Sequence, residues 1–124
     1  MIVLATPPPA LPNVGEIWWV SRDIRSTRDK KESRPCVVVR VPPTINGRIV
    51  IVTRTSDADL EEVGLYSPPI PANGLKREGI WSHRETVEGR LWKPPEVRGP
   101  RGPRLDVAEI SDILWTLRIA WEAP

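Results

Sequence analysis

Arg34 stands directly before Pro35, at the entrance of the apolar run Cys36 to Val41. A residue preceding proline is pushed into extended geometry, so its side chain leaves the backbone in a restricted direction. A guanidinium held this way is permanently charged and offers paired N–H donors that match two phosphate oxygens at once. The other reactive residue types narrow the chemistry. The chain has one histidine, His83, and one cysteine, Cys36, which by themselves do not supply a zinc site. No Gly-rich phosphate loop, metal-ligand constellation or Ser-His-Asp set is written in it. What these residue types support is phosphodiester chemistry without a metal or other cofactor. RNA is cleaved this way when the ribose 2′-hydroxyl attacks the adjacent phosphate. That step requires a group to take the proton, an acid for the leaving 5′-oxygen and a cation beside the phosphorane.

Charge placement allows a polyanionic partner without demanding one. The net charge is only +2, in a chain of 124 residues with a pI near 9.0. Six basic residues (Arg22, Arg25, Arg28, Lys30, Lys31, Arg34) lie among Asp23, Asp29 and Glu32, and six more between Arg84 and Arg104 lie among Glu85, Glu88 and Glu96. The acidic run Asp57, Asp59, Glu61, Glu62 separates them. Two basic loops beside a compact core read either as solvated loops or as a nucleic-acid footprint. The lone Cys36 cannot close an intrachain disulfide and reads as a small buried hydrophobe, in keeping with a reducing cytoplasm. The opening Met1-Ile2-Val3-Leu4-Ala5-Thr6 lacks the basic region of a secretory signal, and no apolar stretch is long enough to span a bilayer.

The elements that must position Arg34 are mostly strands. Fifteen prolines argue against a helix-rich chain, and with no phenylalanine the core leans on six tryptophans plus Val, Ile and Leu. The division expected is a proline-rich arm over residues 1–13, followed by a single domain over 14–124. Asn13 to Val20 reads as a first strand. In it Trp18 and Trp19 point to opposite faces, one to the core and the other free to meet a dimer partner. Ser21 to Ser33 is a long charged loop. Pro35 to Val41 and Arg48 to Thr55 are β-branched runs joined through Asn46-Gly47, a hairpin of two central strands. Leu65 to Pro71 suits an edge strand, Gly79 to His83 a fifth strand and Thr86 to Trp92 a sixth. Lys93 to Pro103 is a basic Pro/Gly loop. The period then changes. Asp106 and Glu109 form a capping-box pattern, and Val107, Ile110, Leu114, Leu117 and Trp121 fall on one helical face, predicting a helix from Asp106 to about Glu122. Ile113 and Ala120 widen that stripe, while Trp115 and Ile119 fall off it.

Three segments taken in order resemble a known family. They are Gly15-Glu16-Ile17-Trp18-Trp19-Val20, then Arg34-Pro35 before Val37-Val38-Val39, then Val50-Ile51-Val52-Thr53-Arg54-Thr55-Ser56. With Gly79-Ile80 and the final helix, this set is similar to the MazF/PemK toxins of bacterial toxin–antitoxin pairs, over Val14 to about Trp121. The resemblance implies a mainly β fold with a C-terminal helix, a small SH3-like β-barrel. It implies a cytoplasmic homodimer that cleaves single-stranded RNA without metal, leaves 2′,3′-cyclic phosphate and 5′-hydroxyl ends, and is inhibited by a cognate antitoxin protein. It assigns catalysis to Arg34, as phosphorane stabiliser and proton-transfer participant, and to Thr55, which orients the scissile phosphate. Arg54, Ser56, Arg84 and Glu32 are the RNA-binding candidates. Where PemK-like members carry Arg-x-Asp, this chain has Ser82-His83-Arg84, so His83 becomes the acid–base candidate because imidazole titrates near neutrality. Plainer readings stand beside these. Arg34 pairs with Glu32 or Asp29, Thr55 packs at a strand end, and His83 is simply exposed. At the level of the whole chain, the rivals are a noncatalytic SH3-like module binding nucleic acid or protein, and a toxin acting on gyrase by protein contact.

Overall fold

The computed structural model describes residues 10–26, 31–56 and 64–119. Most of the proline-rich arm, the acidic run 57–62 and Ala120 and Trp121 of the apolar stripe expected from the sequence lie outside the described residues. The elements are β1 (Ile17–Ser21), β2 (Ser33–Arg40), β3 (Arg48–Thr55), β4 (Leu65–Ser67), β5 (Gly79–Glu88), β6 (Val97–Arg98) and α1 (Val107–Thr116). All six strands join one antiparallel sheet in the order β4-β5-β3-β2-β1-β6.

Both faces of this sheet are covered, which is why β2 and β3 read as unbroken apolar runs. On one face Ile17, Val37, Val50, Val52 and Trp81 pack against Ile110, Ile113 and Leu114 of α1. On the other Val20, Cys36, Val38, Ile49, Ile51, Val87, Trp92 and Val97 form a second cluster. Trp18 and Trp19 divide as their alternation requires. Trp19 packs with the helix-side cluster, while Trp18 joins the second and meets Trp92 edge-on at 5.3 Å.

Several boundaries differ from the sequence reading. Residues 79–88 are one strand rather than parts of two. Thr53 pairs with His83 but Arg54 pairs with Trp81, so Ser82 is the extra residue of a β-bulge, and the strand runs on through it. The Pro/Gly loop contains the two-residue strand β6, which no sequence pattern marks. After it the chain continues along the outer side of β1, with Arg101 N–H donating to Ile17 O (2.9 Å) and Leu105 N–H to Gly15 O (2.9 Å). This strap covers backbone groups that an edge strand would otherwise expose. Closure of a barrel by a strand ladder is not seen, since no pairing joins β4 to β6 among the described residues. The segments next to the two edges nevertheless touch. The buried Asn73, between β4 and β5, donates from Nδ2 to Arg101 O (2.5 Å) and Pro103 O (2.7 Å). At Gly102 a Cβ would lie 2.1 Å from Ala72 O, so only glycine permits this approach.

The helix is shorter than its periodicity suggests. Asp106 caps it, its carboxylate accepting from Glu109 N–H at 2.8 Å. Burial holds the Glu109 carboxyl above the usual carboxylate range, and the neighbouring Asp106 and Asp112 add to that rise. Val107 is 73% exposed and so is not part of the packed stripe. The helix ends because Arg118 adopts φ 54°, with Ile119 N–H bonded to Leu114 O (2.8 Å) and Arg118 N–H to Trp115 O (3.2 Å). That pair of bonds is a Schellman motif, with arginine in the left-handed position that glycine prefers. It also turns Ile119 back onto the helix-side cluster. Arg118→Gly is therefore expected to stabilise the protein by about 1 kcal/mol, read as a higher urea midpoint at unchanged slope.

Candidate functional site

On the face that carries the second cluster, β3 presents Ile49, Ile51, Thr53 and Thr55 in alternation, so the apolar surface gives way to hydroxyls toward the strand end. Arg34 joins them from β2. It lies on this face because it pairs with Val20 and alternates with Cys36 and Val38. The Cys36–Thr53 pairing continues by two residues to set Arg34 opposite Thr55, and Arg34 Nη1 donates to Thr55 Oγ1 at 3.3 Å. Arg34 is half-buried and Thr55 7% exposed, which leaves the guanidinium at the rim of the sheet. The two residues to which the resemblance assigns catalysis are thus in direct contact.

His83 reaches the same face through the Ser82 bulge. A regular strand would keep His83 and Trp81 on one side, but the extra residue reverses the alternation. Trp81 consequently lies in the helix-side core, while His83 sits opposite Thr53 on the Arg34 face. The imidazole is exposed, and its Nδ1 lies 2.9 Å from Ser82 Oγ, which leaves Nε2 turned away from that contact. Two strand spacings, roughly 10 Å at Cα level, separate His83 from β2. His83 lies opposite Thr53 and Arg34 opposite Thr55, so the two are also offset by two residues along β3 on this shared face.

Beneath this rim lies a buried ion pair that sequence reading missed. Arg25 Nη1 and Glu85 Oε2 are 3.3 Å apart, with both side chains essentially inaccessible. Arg25 Nη2 also donates to Lys31 O (2.7 Å), and Ser26 Oγ accepts from Thr86 N–H (2.9 Å). Together with Ile24 packed on the second cluster, these contacts fasten the described parts of the charged loop across β5. One of many arginines in a charged loop carries no local mark of this. Thr53, 1% exposed beside Thr55, was not singled out from the sequence, although the Ile-x-Ile-x-Thr-x-Thr order of β3 is the signal that places it on this face.

The proposed RNA-binding residues separate. Glu32 is exposed at the entrance of β2 and Ser56 just past the end of β3, both near the Arg34 rim. Arg84 is exposed but pairs with Val52, on the opposite face from His83. Arg54 also faces away from Arg34 and is 6% exposed. Its Nε donates to Ser67 Oγ (3.1 Å), and its Nη2 lies within reach of Ser67 O (3.3 Å), Pro68 O (3.0 Å) and Arg77 O (2.8 Å). Burial pulls its pKa below the ordinary arginine value, with nearby Tyr66 acting the other way, yet a guanidinium so bonded remains charged. Arg54 therefore ties β3 to the 67–77 segment, a role in packing and not in reaching RNA. Gly79 makes room for it, since a Cβ there would lie 2.9 Å from Arg54 Cζ. Arg54→Met is expected to cost about 3 kcal/mol by stranding those carbonyls without a donor, checked by urea unfolding.

No group of three or more potential metal ligands occurs among the described residues. A recess of about 280 Å³ lined by Ile45, Asn46, Arg48, Glu88 and Arg90 lies at the far end of β3 and β5 and includes none of the candidate residues. No helix among the described residues is long and apolar enough to cross a membrane. A scan against models of known protein families gives no match, and a search of curated proteins finds none either.

Proposed function

We propose that this chain is a metal-independent endoribonuclease acting on single-stranded RNA, the toxin of a MazF/PemK-like toxin–antitoxin pair. The observation that carries this reading is the contact of Arg34 Nη1 with Thr55 Oγ1 at 3.3 Å, on a polar rim that also holds His83. In the proposed reaction the 2′-oxygen bonds to phosphorus and the P–O5′ bond breaks. The 2′-hydroxyl proton passes to His83 Nε2, and the 5′-oxygen takes a proton from water or from the protonated imidazole. Arg34 neutralises charge on the non-bridging oxygens as the phosphorane forms, where a preplaced cation lowers the barrier most. Thr55 fixes the guanidinium and donates to the same phosphate.

An SH3-like barrel belongs to the same proposal. Its support is the seam at Asn73, which ties together the chain next to both sheet edges, and the bulge that bends β5. A homodimer and inhibition by an antitoxin complete the reading. The test is incubation of the purified protein with a long mixed-sequence RNA in EDTA, followed by mapping of the ends. Cuts bearing 5′-hydroxyl and 2′,3′-cyclic phosphate ends support it. RNA left intact at high enzyme concentration overturns it and favours a noncatalytic binding module.

A further inference from the structure

We infer that Arg98 and Arg101, on the outer side of β1, form a second phosphate-binding surface for single-stranded RNA, separate from the Arg34–Thr55 rim. The inference rests on the ribonuclease reading for its choice of RNA, but its observations are its own. Arg101 is fixed in advance. Its N–H is bonded to Ile17 O (2.9 Å), its carbonyl accepts from the buried Asn73 (2.5 Å), and its guanidinium lies over the Trp19 ring at 4.3 Å. Stacking engages the face of a guanidinium and leaves its N–H edge outward, where two parallel bonds to a phosphate form. A side chain already ordered loses less entropy on binding.

Arg98 stands beside it, being the cross-strand partner of Trp19. Both arginines are exposed, and neither makes an ion pair or side-chain hydrogen bond among the described residues. The carboxylate nearest in sequence is half-buried Glu96, two residues before Arg98. Opposite the stack, Gly74 at φ 74° keeps the ground open, since a Cβ there would meet only Arg101 Nη1 and Trp19 Cη2, each at 3.9 Å.

The register sets how far apart the two places lie. Arg34 pairs with Val20 and Val20 with Val97, while the neighbouring row runs Pro35, Trp19, Arg98. The candidate catalytic arginine and the basic edge therefore lie two strand spacings apart, roughly 10 Å. They sit on opposite faces of a sheet whose margin there is the two-residue β6. A strand held at Arg34 meets Arg98 and Arg101 by passing over that short margin.

Fluorescence anisotropy with a short mixed-sequence RNA, 2′-O-methylated so that it is not cut, tests this for the wild type, Arg98→Gln, Arg101→Gln and the double variant across a salt series. The expected result is roughly tenfold weaker binding for the double variant at moderate salt. The log–log salt slope should fall by about 0.7 for each arginine removed, with thermal unfolding unchanged. Should Arg101→Gln perturb the fold, Arg98→Gln carries the measurement, because that side chain has no intramolecular bond to lose. An unchanged salt slope overturns the inference. So does loss of polyglutamate binding in the variants with RNA affinity untouched, which would assign the edge to an acidic protein partner. If the methylated RNA binds with the arginine-dependent slope while unmodified RNA of the same sequence, incubated in parallel, is never cleaved, the ribonuclease reading sinks and this surface stands. Cleavage with an unaltered slope does the reverse.

Discussion

Replacing Arg34 with alanine is expected to lower RNA cleavage by roughly 10²–10³-fold or more, with the fold preserved. The side chain sits at the rim of the sheet and not in either apolar cluster, so its removal opens no core cavity. What is lost is the guanidinium bonded to Thr55 Oγ1, and with it the charge that stabilises a forming phosphorane. Arg34→Lys should fall between the two, because an ammonium keeps the charge but not the two-pronged geometry. Initial rates on a defined RNA, alongside circular dichroism and thermal unfolding, separate loss of chemistry from loss of structure. Full activity in a folded Arg34→Ala protein would remove the catalytic assignment altogether.

Glu85→Ala should destabilise the protein by about 3–5 kcal/mol, because it leaves the Arg25 guanidinium buried without its carboxylate. The same logic makes the double replacement Arg25→Met, Glu85→Met far milder, since two well-packed apolar side chains need no compensation for desolvation. The pair is also what lays residues 24–26 and 31 across β5. The double variant is therefore expected to recover stability while losing order in the charged loop beside Arg34. Urea unfolding of both single variants and the double gives the coupling. Amide exchange at Ser26 and Lys31 reports whether the loop stays fastened. A single variant costing under 1 kcal/mol would show that the pair is solvated in solution.

Much of the strand content was legible because its causes are local. β2 and β3 announce themselves as β-branched runs, and Asn46-Gly47 between them closes the hairpin, with Gly47 N–H bonded to Thr44 O at 3.1 Å. The helix was legible from Asp106 and from Ile110, Ile113 and Leu114, but not in its length. Nothing in the periodicity shows that Arg118 leaves the helical conformation. Strand β6 was hidden because two residues hold no pattern; pairing with Trp19 and Val20 makes them a strand.

For the site, Arg34-Pro35 and the alternation ending in Thr53 and Thr55 were readable from adjacent residues, because proline and strand pleat act within a few bonds. Which face His83, Arg84 and Arg54 occupy was not. A single extra residue at Ser82 resets the alternation for everything beyond it, and whether a bulge forms depends on the partner strand. Arg25 and Glu85 are 60 positions apart, and Asn73 meets Arg101 and Pro103 across 28 and 30. Contacts at such range follow from where the sheet carries each segment. The amino-acid sequence alone determined the central strands β2 and β3, the hairpin between them, the start of the helix and a restrained arginine. The tertiary structure alone decided that this arginine touches Thr55 and shares its face with His83, and that Arg54 is spent on packing.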